Sequence, residues 1–181
     1  MKSVYLIGFV GVGMRDNRYK QEHGLIIMGH VGIAFEGRKN QILGFHPTPE
    51  AIEKLGDSAT VMNWLRNRKT LDGCLQNDTE IFKRAYYLSQ ENPNITVWQY
   101  TITLQDNEFD KIQSQAMTWY NEKVIFSYGL PIKEGVQAWD NCATFPKQLG
   151  LPIPEPSGYL VVYIPALKSQ GKQWQPEDAS P

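Results

Sequence analysis

Neither sign of charge is in excess: 18 Lys and Arg face 19 Asp and Glu over 181 residues, a net charge of −1. Such a balance supplies no long-range field for nucleic acid or an anionic membrane, so neither is expected as a partner and recognition must come from a local site. Cysteine is scarce too. Cys74 and Cys142 are the only two, too few for a disulfide framework, and free thiols in a reducing compartment are the simpler reading. Long apolar runs are also missing. The N-terminal stretch VYLIGFVGVG belongs to an apolar run of roughly eleven residues, against the ~20 that a membrane-spanning helix needs. It is rich in β-branched and aromatic residues and no small-residue cleavage site follows, so it reads as a buried strand and not as a signal peptide. The expectation is a chain that is cytoplasmic as synthesised and does not insert into a membrane. HExxH, CxxC, the phosphate-binding loop, the dinucleotide glycine pattern and G-x-S-x-G are all absent, so no metal and no cofactor is expected.

What is present alternates between strand and helix patterns. The length fits one domain. Residues 1–165 are expected to form it, with 166–181, which lack periodicity, as a mobile tail. LIIMGHVGIAFEG and QILGFHP flank the turn-like GRKN and read as a hairpin, with Phe35-Glu36 pairing against Gln41-Ile42. Thr48 caps a short helix that has Pro49 in its first position and Gly56 at its end. A second helix begins at Asp78, places Ile81, Phe82, Ala85 and Tyr86 on one face, and stops at ENPN. ITVWQYTITLQ is a long strand. Asp106 then caps a helix whose stripe is Phe109, Ile112, Ala116 and Trp119. YLVVYIPAL is the last strand pattern. The fold class that follows is α+β, with helices packed against a mainly antiparallel sheet.

Three side chains stand out chemically. Cys142 lies in QAWDNCATFPKQLG, between a turn-favouring run and the start of a helix, where unpaired backbone N–H groups favour the reactive thiolate. His30 and His46 both fall in the hairpin, and continuing its ladder makes the two imidazoles neighbours on one face. They fit a base and its orienter: His30 takes the thiol proton, and His46 fixes its tautomer and ring plane. Trp139 and Phe145 flank the thiol closely enough to line a substrate groove. The remaining histidine, His23, sits in a charged loop and reads as solvated. Cys74, in LDGCLQND between two helical patterns, reads as a structural or bystander thiol.

GHVGIAFEG, then ILGFHP, and much later WDNCATF, in the order His30, His46, Cys142, resemble the circularly permuted branch of the NlpC-type papain-like hydrolases, which includes the lecithin:retinol acyltransferase-like proteins. The resemblance covers these three short segments. It implies a papain-like fold and a cysteine peptidase or amidase that cleaves an amide bond through a thioester, with peptide links of bacterial cell walls as the first substrate. GLPIPEPSG stands where some acyltransferase-like members carry a membrane-anchoring helix, which favours a peptide or amide over a lipid. Without an export signal, the resemblance further implies either a cytosolic amide or ester, or delivery by a dedicated secretion system as an antibacterial effector, with a neutralising immunity protein as partner. A thioester-forming lipid acyltransferase or esterase, and a non-catalytic binding module on the same fold, are the alternatives.

Overall fold

A computed structural model describes residues 1–16, 25–67, 69–130, 141–153 and 170–179. Among them an antiparallel sheet of seven strands forms the centre: β1 (Lys2–Asp16), β2 (Leu25–Phe35), β3 (Leu43–Pro47), β4 (Leu71–Asn77), β5 (Thr96–Leu104), β6 (Phe126–Tyr128) and β7 (Lys172–Gln173), in the spatial order β6-β4-β3-β2-β1-β5-β7. The helices are α1 (Pro49–Leu55), α2 (Ser58–Arg66), α3 (Thr79–Glu91), α4 (Asp106–Asn121) and the single turn α5 (Phe145–Gln148). The molecule is α+β.

The near-continuous apolar run of β1 is explained by its position, because both faces of the sheet are covered. Val4 and Leu6 join Phe109, Ile112 and Ala116 of α4 on one face, while Ile7 and Phe9 join Ile52, Phe82 and Ala85 of the other helices on the opposite face. Alternate residues therefore enter different cores. The ring of Trp98 lies directly over Gly8, where a Cβ would overlap it.

The expected caps of α1 are present: Thr48 Oγ1 accepts from the Ala51 N–H at 3.2 Å, Pro49 is in the first turn, and Gly56 adopts φ 94°. At α4 the reading needs correction. Gln105 holds the cap position, and Asp106 instead pairs with the N-terminal amine of Met1 at 2.8 Å. The segment that contains Cys74 lies between the helices α2 and α3, as the pattern indicates, and forms strand β4. The YLVVYIPAL strand pattern and His23 lie outside the described residues.

The C-terminal segment also departs from expectation. Residues 170–179 are tied down: Lys172 and Gln173 pair with β5, the Trp174 N–H donates to Val97 O at 3.1 Å, and the Trp174 indole is 0% exposed. That ring packs edge-on to Phe82 and Tyr86 of α3. One large aromatic, flanked by residues without periodicity, is enough to anchor a segment, because burying it offsets the ordering cost of several neighbours. Trp174→Ala should cost about 3–5 kcal/mol of stability, read as a lowered urea midpoint with an unchanged slope. A midpoint within error of the wild type would mean that the indole contributes no net packing.

Candidate functional site

His30 and His46 are brought together by the β2–β3 pairing, whose rungs are Gly32↔Gly44 and Ile33↔Leu43. This register is one residue away from the expected pairing of Phe35-Glu36 with Gln41-Ile42. The turn is wider than the sequence indicates, with Gly37 at φ 78° and the Gln41 N–H donating to Arg38 O. Continued by two residues, the observed register sets His30 opposite His46 on one face, and their ring centroids are 4.3 Å apart. Both are buried.

The two rings do not orient each other. Nε2 of His30 lies 2.5 Å from Asp78 Oδ2, and Nε2 of His46 lies 2.7 Å from the same oxygen. The ring nitrogen of His30 that the sequence reading assigns to His46 therefore belongs to Asp78. Each imidazole donates from Nε2 to a shared carboxylate oxygen, which fixes the nitrogen that each ring has left as Nδ1.

Asp78 is the site member that sequence reasoning misses, because it reads as the start of a helix. It does occupy the cap position of α3, but its side chain makes no capping hydrogen bond. The cap positions themselves carry a signal. Asn77, Asp78 and Thr79 are three capping residues in succession, and Asn77 Oδ1 already accepts from the Thr79 N–H, so the aspartate is surplus to the helix. Its backbone is pinned to the start of β3, since the Asp78 N–H donates to Ile42 O at 2.7 Å and the Ile42 N–H donates to Thr79 Oγ1 at 3.0 Å. The carboxylate then lies over Gly44, where a Cβ would overlap both Asp78 Oδ2 and His30 Nε2. Gly44→Ala should therefore displace the carboxylate and slow any reaction of Cys142 that depends on His30 by about tenfold or more. Site-resolved alkylation rates check this, and a wild-type rate would show that the node tolerates the methyl group.

Cys142 approaches from the opposite core. The expected helix N-terminus is not what holds it, because α5 has only four residues and begins at Phe145. Cys142 instead lies in a turn closed reciprocally by Asn141 and Thr144. Asn141 Oδ1 accepts from the Ala143 N–H at 2.9 Å, and Thr144 Oγ1 accepts from the Asn141 N–H at 2.9 Å, an Asx-type closure that explains the N-C-A-T sequence. Pro146 falls in the first turn of α5, where its missing N–H costs nothing. Phe145 anchors this turn by stacking on Phe45 with centroids 4.2 Å apart. Its ring is buried in the core, while Pro146, Val31 and Leu43 join it and Cys142 around a cleft of about 10 Å³. Trp139 lies outside the described residues.

Phe45 faces one core and its neighbour His46 the other, so the turn that grips Phe45 places Cys142 near the histidines where the β2–β3 rungs stop. His30 and Cys142 are partners by side-chain hydrogen bond and by charge. Burial alone would push the His30 imidazole down, but the Cys142 and Asp78 charges and hydrogen bonds outweigh it and raise it from 6.5 to about 10. Asp78 is likewise opposed by burial, yet the His46 and His30 cations hold its carboxyl far below the usual carboxylate range. In physical terms the site is a thiol, a carboxylate and two imidazole rings in one buried cluster. His30, His46 and Asp78 also offer ligand atoms within 4.8 Å of one another, a spacing that a metal ion could use.

Comparison with protein-family models, with curated proteins and with solved structures finds no match to this chain. Among the described residues no helix is long and apolar enough to cross a membrane.

Proposed function

We propose that this chain is a cysteine hydrolase of the permuted NlpC, papain-like type that cleaves an amide bond through a thioester. The observation that carries the reading is His30, held between the Cys142 thiol on one side and the buried Asp78 carboxylate on the other. With Nε2 committed to Asp78, Nδ1 is the His30 nitrogen that faces sulfur, and the imidazolium keeps the thiolate ready. The thiolate attacks the carbonyl carbon, and the oxyanion is received by the Cys142 backbone N–H with a second donor. His30 then gives its proton to the leaving amine and takes one back from the water that hydrolyses the thioester. Asp78 takes the orienting role first given to His46, and His46 acts on Asp78.

The test is site-resolved labelling of Cys142 by iodoacetamide, followed by hydrolysis assays on cell-wall peptides and on lipid esters. Labelling of Cys142 in the folded protein that slows on unfolding is expected, together with peptide cleavage that Cys142→Ala abolishes while the protein stays folded. Lipid ester turnover without peptide cleavage would transfer the mechanism to an acyltransferase or esterase. An unreactive Cys142 in the folded protein would leave a binding module.

A further inference from the structure

We infer that the node around Asp78 is also a site for a divalent transition metal of the Zn²⁺ class, held by His30, His46 and Asp78, and that the bound ion silences the thiol chemistry. The silencing rests on the hydrolase reading given above; the binding does not. The three residues offer one ligand atom each, all within 4.8 Å of one another, and all three are buried. They come from β2, β3 and the cap position of α3, so folding gathers the donors before any ion arrives. Both Nε2 atoms converge on one point, 2.5 and 2.7 Å from Asp78 Oδ2. Gly44 permits this convergence, since a Cβ there would overlap both Oδ2 and His30 Nε2.

Two imidazoles and one carboxylate form a donor set that Zn²⁺ takes with a fourth position left open, whereas Mg²⁺ and Ca²⁺ prefer shells of oxygen. Tetrahedral ligands at zinc bond lengths stand about 3.3 Å apart, so the rings and the carboxylate need to separate by less than about 1 Å from their hydrogen-bonded spacing. The ion takes the place of the protons that the rings share with Asp78. A cationic ring releases its Nε2 proton to solvent, and a neutral ring ends with its one proton on Nδ1. Either way His30 is left with a proton on the nitrogen that serves Cys142 in the proposed mechanism and with no lone pair to receive another. Proton transfer to and from sulfur then stops.

The experiment titrates the full chain, first stripped of metal by a chelator, with Co²⁺ as a spectroscopic substitute, and then displaces it with Zn²⁺. An equimolar amount of Co²⁺ should give the intense ligand-field absorption of a four-coordinate ion, which Zn²⁺ abolishes and excess Mg²⁺ does not. His46→Phe, which keeps a ring without nitrogen, and Asp78→Asn should each weaken binding by about a hundredfold or more, with folding checked by circular dichroism. In the wild type Zn²⁺ should slow iodoacetamide labelling of Cys142 by about tenfold or more, a chelator should restore the rate, and His46→Phe, which retains the thiol, should lose this protection. Weak, octahedral Co²⁺ absorption or none overturns the site, and so does wild-type affinity in the folded variants. Should neither variant fold, ring-nitrogen NMR of the wild type decides: His30 and His46 signals that Zn²⁺ leaves unchanged overturn the site. Protection that persists in His46→Phe would put the ion on the thiol alone, and peptide turnover that rises with Zn²⁺ would reverse the assigned effect; either overturns the proposal. If metal-free Cys142 does not alkylate, the hydrolase reading fails, while the Co²⁺ spectra still decide the metal site.

Discussion

His30→Ala should lower turnover by about 10⁴-fold or more, with the protein still folded. Among the described residues it is the one placed between the thiol and the carboxylate, so its loss removes the cation beside Cys142 and, in the proposed mechanism, the acid for the leaving amine. Alkylation of Cys142 near neutral pH should slow as well, because the thiolate loses its neighbouring positive charge. His46→Ala should cost much less. Its ring bonds Asp78, and a water molecule in the vacated space can give the carboxylate a replacement hydrogen bond. The ordering of the two variants is the diagnostic measurement: equal losses would mean that the imidazoles act as one unit, and a greater loss at His46 would exchange their roles. A His30 variant with wild-type turnover and alkylation would end the triad altogether.

The second large effect is expected at Asp78. Asn keeps the shape of the side chain but can no longer accept from both imidazoles through one charged oxygen, so His30 loses the tautomer and orientation that the thiol requires. A loss of about 10⁴-fold in kcat is expected from the corresponding change in a serine triad. Stability should fall by about 3 kcal/mol because a buried charge cluster loses one member. Its pH dependence follows from the directions of the two shifts. His30 is raised, so its contribution is complete below 6.5 and lost as pH climbs through about 10. Asp78 is lowered, so its contribution is present above 3.8 and lost only in acid, as pH falls through its depressed native value. Urea midpoints of the wild type should hold level between these ordinary values and decline toward alkaline pH, and Asp78→Asn should weaken that decline. Identical midpoint profiles for both proteins would show that the cluster contributes nothing to stability.

Much of this arrangement is legible in the sequence itself. The periodicity of α3 and α4, the capping residues of α1 and the β-rich composition of β1 and β5 are local signals, and each resides in residues close together along the chain. β4 and α2 are harder to read. LDGCLQN carries Asp72 and Gly73, which are poor strand formers, and pairing with β3 overrides that preference. In α2 the apolar positions Val61 and Leu65 lie one helical turn apart behind Asp57, which accepts from the Thr60 N–H at 2.8 Å. That pattern is present but short. Cys142, His30 and His46 stand out as chemically capable residues, whereas Asp78 is hidden because its cap position gives it an adequate local explanation. Trp174 shows the opposite limit, since nothing adjacent in sequence indicates that a segment without periodicity ends in a core.

Gly44 bears on how other genomes are searched. Asp78 is supplied from a different element, at the start of α3, and an inserted loop would change its distance along the chain from the histidines, so the acid alone makes a poor search motif. The vacancy above β3 cannot vary in this way, because it is a property of one backbone position two residues before the second histidine. A useful query is therefore the spelling G-x-H on the strand that follows H-x-G, joined to N-C near the other end. Chains that match the histidines and the cysteine but bear any side chain at that glycine have kept the letters of the site without room for its carboxylate, and on the proposed mechanism they are expected to lack its activity.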